Sequence, residues 1–129
     1  MVSQRTGSPI VRLGQIGELF GDGARAIVTV IRVDGSAEEI LVVRARRGRL
    51  FAVLNRCPHR GRLLDNAPVH GRTLTCPGHG RSFDLRTGRP GRTGTDPLPV
   101  LRAWLEDDQV FLRLGPAAAP RRWWRRVHT

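Results

Sequence analysis

The sequence predicts a small all-β domain built of antiparallel sheets. Three observations carry that prediction: short runs rich in β-branched residues, turn residues placed between them, and the lack of any long segment with helical periodicity. A chain of 129 residues allows one domain and excludes a two-domain enzyme with its own substrate-binding half. Taken in order, residues 16–20 suit one helical turn and no more. Residues 26–33 (AIVTVIRV), 39–45 (EILVVRA) and 50–54 (LFAVL) read as strands, with Gly35-Ser36 and Arg47-Gly48-Arg49 as turns between them. Together they predict an antiparallel meander. Residues 101–105 and 110–114 flank Glu106-Asp107-Asp108 and predict a closing hairpin. Between meander and hairpin the texture changes. Residues 56–97 hold seven of the 15 glycines, five of the nine prolines, three of the four histidines and both cysteines. So long an irregular stretch inside a compact domain is expected to be functional.

Composition narrows the class. Hydrophobic residues make up 40%, too many for a disordered tail, and 2 cysteines are no disulfide framework. The N-terminus, MVSQRTGSPI, lacks a signal-peptide pattern, and no apolar run is long enough to cross a membrane. The expected location is the cytoplasm. The net charge is +11, and all 22 basic residues are arginine. Such basicity raises nucleic acid as a partner, but its distribution is local. Residues 56–92 carry eight arginines against Asp65 and Asp84, and residues 115–129 carry four against no acid. The remainder is close to balanced.

The central segment contains two matched pieces, Cys57-Pro58-His59-Arg60-Gly61 and Cys76-Pro77-Gly78-His79-Gly80. The pattern is C-x-H, a gap of 16 residues, then C-x-x-H. Four soft or borderline ligands in two matched loops point to metal: zinc, or iron with sulfide. Structural zinc sites usually pair Cys with Cys and His with His. Here each loop supplies one of each, which suits a two-metal cluster reached by both loops. A lone cysteine or histidine is ordinarily a packing or surface residue, but four at matched spacing are not. His70, beside Gly71, reads as a turn histidine, and His128 has no partner in the sequence pattern.

At these residues the chain closely resembles the Rieske iron–sulfur proteins. Residues 76–84 (CPGHGRSFD) resemble the family's second loop, and residues 85–90 (LRTGRP) the turn after it. Leu98-Pro99 and the hairpin resemble its closing strands, so residues 11–114 can be laid along a Rieske ferredoxin. The resemblance implies a Rieske-like domain with two cluster-binding loops at one end. It implies one [2Fe–2S] cluster, with Cys57 and Cys76 on one iron and His59 and His79 on the other. Arg60, Gly61, Pro77, Gly80 and Phe83 would surround it. The histidine ring edges would form the electron exit. High-potential members join an extra cysteine in each loop as a disulfide; those positions here are Arg62 and Gly78. Their Ser and Tyr hydroxyls correspond to Arg81 and Phe83, with Ser82 one residue out of place. The implied potential therefore lies in the lower part of the range.

The function implied is a soluble ferredoxin, not an enzyme on its own, carrying single electrons from a flavin-dependent reductase to a terminal oxygenase. Arg60, Arg62 and Arg81 form either a solvated rim or a docking surface for acidic partners. Two alternatives are a small subunit or relay domain of a larger reductase, and a zinc module binding nucleic acid. The domain is expected to span residues 1–114, with 115–129 as an Ala/Pro linker and a basic tail. That tail, Arg121-Arg122-Trp123-Trp124-Arg125-Arg126, has no assigned partner.

Overall fold

A computed structural model describes residues 9–78 and 80–115. The tail beyond residue 115, His79 and His128 lie outside the described residues. The predicted meander is present as β2 (Arg25–Ile31), β3 (Ala37–Arg44) and β4 (Leu50–Leu54), each antiparallel to the next. The hairpin is β8 (Val100–Glu106) and β9 (Gln109–Arg113). Its two-residue turn places Asp107 and Asp108 at φ 51° and 65°, the left-handed geometry that suits the twist of a tight hairpin. The predicted helical turn is α1 (Ile16–Phe20).

Two features exceed the sequence reading. A first strand, β1 (Ile10–Gln15), pairs with β9 around a register shift between Arg12 and Gly14. That bulge breaks the alternation by which a strand is recognised. The irregular segment also holds a small sheet of β5 (Val69–His70), β6 (Thr73–Thr75) and β7 (Ser82–Asp84). Strands of two and three residues are too short to show a period. His70 ends β5, exposed, and pairs with Thr73 across the turn at Gly71, so its turn reading stands.

The larger sheet runs β1-β9-β8-β4-β3-β2, all antiparallel. Strand β3 organises the interior because both its faces are covered. Ile40 and Val42 join Phe20, Val110 and Leu112 in one core. Leu41 and Val43 face the other way, into a second core with Val53, Leu64, Leu74 and Phe83. The period-two geometry of a strand turns the run Ile40-Leu41-Val42-Val43 into floors for two cores. Each large apolar side chain so buried contributes about 1.5–3 kcal/mol. The second core contains both cysteines. The candidate site thus rests on packed hydrophobic structure rather than on free loops.

Candidate metal centre

Each matched sequence piece becomes a loop closed by the same two backbone hydrogen bonds. Cys57 N–H donates to the Arg62 carbonyl (2.8 Å), and Gly61 N–H donates to the Cys57 carbonyl (2.7 Å). Cys76 N–H donates to the Arg81 carbonyl (2.7 Å), and Gly80 N–H donates to the Cys76 carbonyl (3.1 Å). Gly61 and Gly80 sit at φ 74° and 68°, a conformation costly for residues with a Cβ. That accounts for a glycine four residues after each cysteine. Counted from the cysteines, the loops match residue for residue: His59 with Gly78, Arg60 with His79, Gly61 with Gly80, Arg62 with Arg81. The differing spacings C-x-H and C-x-x-H thus put histidine at neighbouring sequence positions of two loops closed by the same hydrogen bonds.

The first loop follows β4 and the second joins β6 to β7. Asn55 anchors the first. It is fully buried, its Nδ2 donates to Asp65 Oδ1 (2.6 Å), and its Oδ1 accepts from Leu64 N–H (3.1 Å). It thereby ties the entry of the loop to its exit. Arg25 Nη1 donates to the Asp65 carbonyl (2.8 Å), linking β2 to the same exit. The second loop is followed by a turn at Asp84, whose Oδ1 accepts from Arg86 N–H (2.8 Å) and Thr87 N–H (3.2 Å).

Cys57 and Cys76 are 1% and 2% exposed, and with His59, Arg60 and Arg62 they line one cavity of about 320 Å³. Burial pushes the Cys57 thiol up, and the adjacent Cys76 sulfur adds to the rise. The backbone N–H groups of His59 and Arg60 pull the other way. So raised, the Cys57 thiol is a poor thiolate alone, and a bound cation reverses that preference. The donor set therefore fits a thiolate-ligated metal group, with backbone donors already directed at one sulfur. Among the described residues no three His, Cys, Asp or Glu side chains close on a single point. A cluster of two irons takes its ligands two by two and does not require that they do. His79, the fourth expected ligand, lies outside the described residues.

The remaining expected neighbours divide. Phe83 is 1% exposed in the core that holds both cysteines, and Gly61 is buried. Pro77, Gly80, Arg60 and Arg62 are exposed. Arg81 departs from the solvated-rim reading. Its Nη1 donates to Thr95 Oγ1 (2.7 Å), its Nη2 lies 3.2 Å from His59 Nε2, and its Nε is buried without a hydrogen-bond partner among the described residues. Sequence reasoning missed Asn55 and Thr95. An asparagine two residues before the first cysteine, at the end of a buried strand, was the available signal for the former.

The Rieske [2Fe-2S] domain family matches residues 15–101. The 3-phenylpropionate/cinnamic acid dioxygenase ferredoxin subunit of Photorhabdus laumondii is 36% identical over 75 residues, 53% of this chain and 67% of that protein. Among solved structures, the ferredoxin of carbazole 1,9a-dioxygenase from Nocardioides aromaticivorans IC177 is 26% identical with a TM-score of 0.67, covering 84% of this chain and all of that one. A ferredoxin in complex with reduced oxygenase, also of carbazole 1,9a-dioxygenase, is 25% identical with a TM-score of 0.63, covering 80% and 91%.

Proposed function

The chain belongs to the Rieske [2Fe-2S] domain family, and from that premise we propose that it works as a ferredoxin, carrying single electrons from a flavin-dependent reductase to a terminal oxygenase. It takes one Rieske-type [2Fe–2S] cluster. The ligands we assign are Cys57, Cys76, His59 and His79. The observation that carries the reading is the pair of identically closed loops with both cysteines buried side by side. When bound, the cluster accepts and releases one electron, and its net charge changes by one.

The protein's own residues set the conditions for that exchange. Burial of Cys57 and Cys76 keeps water and exogenous thiols from the sulfur end. His59 is only partly buried, so its ring edge offers a short route to a docked partner. Arg60 and Arg62 are exposed beside the cavity and suit an acidic partner surface. No helix among the described residues is long and apolar enough to cross a membrane. We place the protein in the cytoplasm, where reducing conditions keep ligand cysteines from pairing as a disulfide. The working domain in this reading is residues 1–114, with 115–129 as an appended tail.

An EPR spectrum of the reduced protein tests the cofactor assignment. The low average g-value of a cluster with histidine ligands is expected, and a silent, colourless protein overturns it. Electron delivery from a flavin reductase to a purified aromatic-ring oxygenase tests the role. Isolation in fixed stoichiometry with a larger reductase would replace the carrier by a relay subunit.

A further inference from the structure

A second cavity, of about 710 Å³, shares no lining residue with the one at the cysteines. It lies where β3 and β4 meet the β5–β6 turn, over an apolar floor that includes Phe51 and Val69. Five arginines line it and no carboxylate does. Arg72 is paired with Asp84 at 3.1 Å. The other four keep their charge. Arg25 donates to the Asp65 carbonyl, and Arg44 donates to the Gly21 and Gly23 carbonyls, which are dipoles and neutralise nothing. Arg46 and Arg49 have no side-chain partner among the described residues.

The turn between β3 and β4 brings the last two to the rim. It is a 3-10 turn over Arg46–Gly48 in which Arg47 is held at φ 64° and ψ 25°. A residue with a Cβ is disfavoured there, so the backbone accepts strain while Arg46 and Arg49 both line the cavity. Four like charges around one apolar hollow repel one another, and an anion of matching shape would relieve them. Guanidinium groups suit this because each presents a planar fork to a carboxylate or phosphate. The volume falls within the roughly 300–1,000 Å³ of small-molecule sites.

We propose that this cavity binds a small anion with an apolar body. Phosphate or carboxylate oxygens are gripped by Arg25, Arg44, Arg46 and Arg49, and the body rests on Phe51 and Val69. The site is separate from the cluster, so its failure leaves the electron-carrier reading intact.

Calorimetric titration of the full chain, cluster bound, tests the site with naphthyl phosphate, naphthalene dicarboxylate, naphthol and inorganic phosphate. At least one of the two naphthyl anions is expected to bind at least about tenfold tighter than both naphthol and inorganic phosphate. Which of the two binds better identifies the preferred oxyanion. The double substitution Arg46→Gln with Arg49→Gln should weaken that binding about tenfold or more, because it removes two charge-assisted contacts. Arg89→Gln with Arg92→Gln removes the same charge outside the cavity and should leave it unchanged. Equal loss in both double variants, or inorganic phosphate binding as tightly as the naphthyl anions, overturns the site.

Discussion

Arg81 reaches out of the second loop to place Nη2 3.2 Å from Nε2 of His59 in the first. Its counterpart by loop position, Arg62, reaches the opposite way: a Cβ on Gly78 would fall 2.5 Å from Arg62 Nε. Each loop thus lays its last arginine on the third residue of the other. The two positions that carry the interloop disulfide in high-potential relatives are here a guanidinium resting on a glycine.

The Arg81 contact has a redox consequence. The guanidinium is a fixed positive charge, and it stands beside a group that becomes more negative on reduction. Arg81→Gln should lower the midpoint potential by some tens of millivolts, a modest part of the few kcal/mol by which charges interact at such range. Arg81→Lys should restore most of the shift, since charge rather than fork geometry sets it. A redox titration of the three proteins is the measurement, and equal potentials in wild type and Arg81→Gln would refute the assignment.

Asn55 should matter more to cluster retention than its distance from any ligand role implies. Asn55→Ala leaves the Asp65 carboxylate and the Leu64 N–H without their buried partner. Stranding such groups costs about 2–4 kcal/mol. Urea denaturation should show that loss. Iron content after purification should fall with it, because the first loop loses the tie between its entry and exit.

The sequence carried the parts of this site that depend on side-chain identity. Cys57, His59 and Cys76 could be named from chemistry and spacing, and Gly61 and Gly80 from repetition. Strands β2, β3, β4, β8 and β9 were legible because β-branched runs between turn residues have few other uses. Strand β1 was not, since its bulge between Arg12 and Gly14 breaks the alternation. Strands β5 to β7 were not, because their pairing depends on the second core and not on their own two or three residues. The roles of Asn55 and Thr95 were hidden for the same reason. Each acts on a partner ten or more residues away, Asp65 and Arg81, and nothing local marks such a contact.

Asp84 predicts an acid limb in the stability profile. Partial burial pushes its carboxyl up, but the N–H groups of Arg86 and Thr87 and the Arg72 guanidinium outweigh that and hold it below its ordinary 3.8. The folded value being the lower one, the stabilisation is complete above the unfolded value and is lost as pH falls through the folded value. Melting temperature should therefore decline below about pH 4. Asp84→Asn should be less stable than wild type at neutral pH, and the two curves should converge on acidification. Curves that stay parallel would mean the turn is held by something else.

The midpoint potential should lie in the lower part of the range open to such clusters, about −150 to +300 mV. The position that bears a tyrosine hydroxyl in high-potential relatives is Phe83, buried in the core that holds both cysteines and with no polar atom to offer. The Ser82 hydroxyl packs against Gly91 instead, so closely that a Cβ there would collide with it. The two hydroxyl hydrogen bonds of high-potential relatives are thus missing from these positions, and the nearby arginines offset only part of that. A titration giving a value above roughly +100 mV, within the range cited, would contradict the argument.

Salt should slow electron transfer to the partner. Arg60 and Arg62 are exposed at the mouth of the cysteine cavity, so their field reaches into solvent where an acidic surface would approach. Screening shortens that reach to about 10 Å at 0.1 M ionic strength and about 3 Å at 1 M. The second-order rate constant should therefore fall steadily across that interval. In Arg60→Gln with Arg62→Gln it should start lower and fall less. Arg81, held by Thr95 and His59, projects less into solvent; its loss should change the potential more than the salt slope. Stopped-flow measurements over a salt series separate the two effects, and a wild-type rate indifferent to salt would remove the case for an acidic partner face.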